Sequence, residues 1–130
     1  MDNLIPLIAA IAPFILWPIE IFFPYPHIVE EITKTILLFP ILGYNNQVMK
    51  VKYAVLIGII FAFSETVLYI FNIANSGNLT ILFTRLIITT LLHTLTTLTI
   101  TIPAMKDRRL IILGLFMAIL IHYSYNLYIL

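Results

Sequence analysis

The chain has 130 residues, 62% of them hydrophobic and 10% charged, with no cysteine and a formal net charge of +1. Its mean hydropathy is +1.07, whereas a soluble domain is charged at about a quarter of its positions, which excludes an ordinary soluble fold. Seven basic residues against six acidic ones leave no basic surface for nucleic acid, and the lack of cysteine removes disulfides, thiolate ligands and a thiol nucleophile.

A bilayer span needs about 20 mostly apolar residues. The length therefore predicts one all-α domain over residues 1–130, a polytopic membrane helix bundle of about five transmembrane helices. The first apolar segment covers about 4–23, and Met1-Asp2-Asn3 before it lacks the positive n-region and cleavage pattern of a signal peptide, so it reads as a retained span. Prolines 6, 13 and 18 predict bends in it, and Pro24 and Pro26 around Tyr25 predict its stop. His27 falls in the following loop and is assigned no role. The second segment, 28–42, meets Pro40 after only about 15 residues or roughly 22 Å. That is short of a hydrocarbon core of about 30 Å and leaves room for water to enter the bundle. Segments 52–74, 79–103 and 110–130 complete the set.

Lys50 and Lys52 lie in the connection around 43–52, and Lys106, Arg108 and Arg109 in that at 104–109; the connections at 24–27 and 75–78 carry no Lys or Arg. The positive-inside rule then predicts a multi-pass protein of the cell membrane with its N-terminus cytoplasmic and its C-terminus outside. Trp17, Tyr25, Tyr44, Tyr53 and Tyr128, near span ends, suit interfacial anchors or ordinary packing equally.

The ionisable groups within the apolar segments are Glu20, Glu30, Glu31, Lys34, Glu65, Arg85, His93 and His122. Each charged side chain at mid-helix costs about 2.5–3.5 kcal/mol on insertion scales, so such groups pair or line a polar cavity. Glu20 and Arg85 lie near span ends, where reaching the headgroups accounts for them. Glu31 is 12 residues from Gly43, Glu65 is 13 from Lys52, His93 is 10 from Pro103 and His122 is 13 from Arg109. At about 1.5 Å per residue, these distances put all four at roughly 15–20 Å from the basic loops. Two carboxylates and two imidazoles from four helices are thus expected at one level. Helical phase agrees: Lys34 follows Glu30 by four and Glu31 by three, Arg85, Thr89, His93, Thr97 and Thr101 recur at steps of four, and His122 shares a face with Asn126. The threonines are more simply read as bonding their own backbone carbonyls.

A carboxylate and two imidazoles with one open position make a catalytic Zn²⁺ site, and Glu65, His93 and His122 fit that count, with Glu30 or Glu31 as the base. The same groups also suit a metal-free mechanism, in which a buried glutamate activates water and His and Asn stabilise the oxyanion. No Ser-His-Asp arrangement, HExxH motif or Gly-rich phosphate loop is present.

The run Glu30-Glu31-Ile32-Thr33-Lys34 resembles the EExxK motif of the PrsW family of intramembrane proteases, and residues 58–69 resemble its GxxFAxxENxxY stretch, with Thr66 in place of the usual Asn. His93 with Thr97 is similar to the family's HxxxT segment, and His122 with Asn126 to its HxxxN ending. The resemblance covers about residues 28–126. It implies a superfamily that includes CAAX-prenyl endopeptidases and the non-catalytic scaffold subunit of gamma-secretase, and substrates that are membrane-embedded or membrane-anchored proteins, anti-sigma factors among them. The expectation is a transmembrane intramembrane endopeptidase. Glu30 or Glu31 activates water, and Lys34 neutralises the glutamate pair. Glu65, His93 and His122 hold Zn²⁺ or another divalent metal or orient the water, and Asn126 donates to the oxyanion. The alternative is a non-catalytic membrane scaffold or substrate-binding protein. An ion or proton carrier ranks last, since five short helices show no inverted repeat.

Overall fold

The computed structural model describes residues 4–73 and 79–129. Five α-helices follow one another: α1 (Leu4–Phe22), α2 (Pro26–Leu38), α3 (Gln47–Ile73), α4 (Leu79–Lys106) and α5 (Ile111–Ile129), with short 3₁₀ turns at Pro40–Gly43 and Arg108–Leu110. No strand occurs among the described residues. Four helices, all but α2, are long and apolar enough to cross a membrane. With 13 residues, α2 extends only about 20 Å.

Prolines 13 and 18 lie inside α1 rather than ending it, as membrane helices allow where neighbours satisfy the freed carbonyls. Pro26 opens α2 instead of closing a loop, because proline at the first helical position loses only an N–H that has no intrahelical partner. His27 is consequently helical and buried, a correction to its expected place in a loop. Helix α3 starts five residues before the expected position 52, since the Asn46 side chain accepts from the backbone N–H groups of Val48 (2.9 Å) and Met49 (3.3 Å) and caps its first turn. Pro103 likewise falls within the last turns of α4, which runs on to Lys106.

Lipid tails are as apolar as leucine, so membrane helices associate through close packing, which small residues permit. Ala9, Ala54, Ala62 and Ala118 are fully buried. At Gly58 an added Cβ would stand 2.7 Å from Thr94 Cα and 2.8 Å from the His93 carbonyl; at Gly114 it would stand 2.7 Å from Ile100 Cα. These contacts fix α3 against α4 and α4 against α5, beside the residues that carry the site. Large apolar side chains such as Ile15, Phe63, Leu91 and Ile112 point outward on all four long helices, as a lipid-facing surface requires.

An Arg108 N–H donates to the Leu42 carbonyl at 3.4 Å, and the rings of Tyr44 and Tyr53 pack 5.5 Å apart. The two basic connections therefore share one end of the bundle. A contiguous apolar core of Ile5, Leu38, Ile41, Ile57, Ile100 and Ile111 fills that half. The ionisable residues of the site, Glu30, Glu65, His93 and His122 among them, line a cavity in the other.

Candidate active site

The short helix α2 carries Glu30, Glu31 and Lys34 into the bundle, and all three are buried. Lys34 Nζ donates to Glu31 Oε1 at 2.6 Å, to Thr96 Oγ1 at 2.8 Å and to His93 Nδ1 at 3.0 Å. An ammonium has three protons and no acceptor, so every donor is used. Since Nδ1 of His93 accepts from Lys34, its Nε2 carries the ring proton and donates to Glu65 Oε2 at 2.6 Å. Glu65 Oε1 in turn accepts from Arg85 at 3.1 Å. At the other end Glu31 Oε1 also accepts from His122 Nδ1 at 2.7 Å, and the His93 and His122 rings meet edge to face at 5.3 Å.

A continuous chain thus runs from Arg85 through Glu65, His93, Lys34 and Glu31 to His122, joining α2, α3, α4 and α5. With both imidazoles neutral, its two cations and two carboxylates cancel. Glu30 stands outside this balance. Its Oε2 is buried with no hydrogen-bond partner and lies 3.7 Å from His122 Nδ1. Glu31 Oε2 is also without a partner, but only Glu30 of the pair lines the adjoining cavity.

That cavity has a volume of about 180 Å³ and is walled by all five helices: Pro13, Trp17 and Glu20 from α1, Pro26 and Glu30 from α2, Phe61, Glu65, Leu68 and Tyr69 from α3, Arg85, Thr89, Leu92 and His93 from α4, and His122, Tyr125 and Asn126 from α5. A buried water needs roughly 10–15 Å³ of such space, so several fit beside Glu30.

The four residues expected at one level, Glu31, Glu65, His93 and His122, are brought together, and Asn126 joins the last three in the cavity wall. Lys34 pairs with Glu31 and not with Glu30. Arg85 does not reach for headgroups: its guanidinium sits over the Tyr69 ring, 3.2 Å from the centroid, and pairs with Glu65. The threonine seam follows the simpler reading, with Thr89, Thr97 and Thr101 donating to the carbonyls of Arg85, His93 and Thr97. His27 is the residue that sequence reasoning missed; its ring packs 5.9 Å from that of His122 and 5.5 Å from that of Tyr123. Its signal was Pro26, read as a stop although proline also starts helices.

A family model described as PrsW family intramembrane metalloprotease matches residues 18–130. The chain belongs to the PrsW family. Neither the search of curated proteins nor that of solved structures returned a match. The PrsW description names a metal, and the side chains can be tested against one. Glu30, His93 and His122 each offer a ligand atom, all within 4.8 Å of one another. Two imidazoles and a carboxylate are a donor set of catalytic zinc. The orphaned Glu30 Oε2 needs a partner, and His122, donating through Nδ1, keeps the Nε2 lone pair free. His93 completes the set only by exchanging one of its present partners, Glu65 or Lys34. The donors fit, with Glu30 in the place that spacing gave to Glu65 and with Glu65 behind His93 as its orienting carboxylate.

Proposed function

We propose that this PrsW protein is an intramembrane endopeptidase that hydrolyses a peptide bond in a membrane-embedded or membrane-anchored protein, with Glu30 as the group that activates water. The observation that carries this reading is the buried, unpartnered Oε2 of Glu30 in the wall of a polar cavity, beside a charge chain that is otherwise self-neutralised. Glu30, through the carboxylate oxygen that a cation would leave unused, takes the proton of a water held in the cavity and passes it to the leaving amine. The Asn126 amide, in the same wall, donates to the oxyanion. Glu31 fixes the orientation of His122, Glu65 that of His93, and Lys34 holds Glu31 and His93 in register. Glu30, His122 and, in exchange for its contact to Lys34, His93 would hold a divalent cation of the Zn²⁺ class. Such a cation, when bound, supplies Lewis acidity that makes water acidic near neutral pH. The surrounding apolar helices restrict water to the cavity.

Because Lys50, Lys52, Lys106, Arg108 and Arg109 gather at the end sealed by the apolar core, the positive-inside rule puts the N-terminus in the cytoplasm, the C-terminus outside and the cavity in the outer half of the membrane. The test is hydrolysis of a membrane-anchored substrate by protein reconstituted in vesicles. Cleavage is expected in the outer half of the substrate span, to stop on chelation and to return with Zn²⁺. Cleavage that persists in metal-free protein contradicts the cation's part, and cleavage near the basic end contradicts the orientation.

A further inference from the structure

The walls of the cavity differ in height. Glu30, His93 and His122 offer ligand atoms within 4.8 Å of one another, so they mark one level on three helices. From that level α4 runs on for 14 residues to Leu79, about 21 Å, and α5 for seven residues past His122 to Ile129, about 10 Å. On α2, Glu30 is only four residues from Pro26, about 6 Å. Pro26, the first residue of α2, is itself in the cavity wall, so the wall ends where the helix does. Two ring contacts agree: His27 meets His122 at 5.9 Å and Tyr123 at 5.5 Å, which puts the start of α2 beside the site and not above it. Since α2 is the helix that packs against both α1 and α5, a notch is left above Pro26, between the α1–α2 connection and α5. The seam between α3 and α4 is closed, by Gly58 against Thr94 and, higher up, by Arg85 lying on the Tyr69 ring.

The rim of the notch carries no charge. On one side runs Phe22-Phe23-Pro24-Tyr25-Pro26, with Phe22, Phe23 and Tyr25 exposed. On the other stands Leu127, exposed and four residues after Tyr123, hence on the face of α5 that meets His27. Such a rim suits apolar chain arriving from lipid. The cavity behind it, of about 180 Å³, is too small for a helix, which is about 10–12 Å across with its side chains. What enters is therefore extended. We propose that a membrane-anchored substrate enters laterally through this notch, in the half of the bundle away from the basic connections, and unwinds to lay an extended segment between Tyr25 and Leu127 with a peptide bond at Glu30. That the occupant is a substrate rests on the hydrolase reading above; the route into the cavity does not.

The chain has no cysteine, so single cysteines can carry a benzophenone photoprobe at chosen places on the full protein in vesicles. Tyr25→Cys and Leu127→Cys put it at the notch. Tyr128→Cys, turned about 100° round α5 from Leu127, and Phe83→Cys, on an exposed face of α4, put it elsewhere in the same half. On the E30Q background a membrane-spanning peptide is expected to be captured from the two notch positions and not from the other two, and excess free peptide to abolish the capture. Attaching the probe at Leu127→Cys before the peptide is added is expected to weaken binding about tenfold, and attaching it at Phe83→Cys to leave binding unchanged. Equal capture from all four positions, stronger capture from Tyr128→Cys or Phe83→Cys, or binding unaffected by the probe at Leu127→Cys overturns the proposal. Capture of a water-soluble peptide of the same sequence around the scissile bond, as readily as the membrane-spanning one, assigns the opening to water and overturns it equally. Capture at the notch without cleavage of any peptide by the protein with Glu30 supports the route and removes the hydrolase reading. Cleavage at the parental rate with the notch probe attached removes the route alone.

Discussion

Lys34 shows how a single side chain organises the site. Its three donors are spent on Glu31, Thr96 and His93, so it joins two helices and sets the tautomer of the imidazole it touches. Lys34→Met, which keeps the volume and removes the charge, leaves Glu31 as a buried carboxylate held only by His122. The expected loss is about 3–5 kcal/mol, as when one partner of a buried pair is removed, measured by unfolding in detergent against the parent. A loss below roughly 1 kcal/mol, the scale of an exposed pair, contradicts the account of Lys34 as a buried keystone of charge. Much at this scale was legible beforehand. The spacing of Glu30, Glu31 and Lys34 foretold an ion pair and one free carboxylate, but not which glutamate was free. Adjacent residues on a helix differ by about 100° in direction, and only the positions of His122 and of the cavity settle the matter.

Among the elements, the contact between α3 and α4 places Glu65 against His93, and Gly58 permits it. An added Cβ there meets backbone atoms of Thr94 and His93 at 2.7–2.8 Å, and backbone does not move aside as a flexible side chain would. Gly58→Ala is expected to cost about 1–3 kcal/mol and to lower hydrolysis as the helices part. Thermal unfolding and the cleavage rate of the same preparation check it; unchanged values for both contradict the packing. Depth counting worked for these helices because antiparallel rods with a rise of about 1.5 Å per residue carry equal counts to equal depths. The apolar pattern missed the start of α2, which it puts at Ile28 while the helix begins at Pro26, and so His27 was left out of the aromatic wall it forms with His122 and Tyr123. The start of α3 escaped for a related reason: its first turn mixes Gln47 and Lys50 with Val48 and Met49 and is held by the Asn46 cap, neither of which an apolar pattern records.

Taken whole, the molecule is divided along its axis. One half is sealed by apolar packing beneath the basic connections, and the other encloses a cavity lined by ionisable groups. Composition foretold the membrane and the bundle, while the shape of the cavity depended on how five helices meet, which one chain's periodicity does not encode. The central claim is that Glu30 is the reactive group and Glu31 a structural one. Parallel measurement of cleavage and unfolding for E30Q and E31Q tests it most directly. E30Q is expected to fold with at least the parent's stability, since it relieves an unpartnered buried carboxylate oxygen, and to lose about 10²–10⁴ in rate. E31Q is expected to lose stability through its weakened contacts to Lys34 and His122. Cleavage by E30Q at the parental rate would contradict the account.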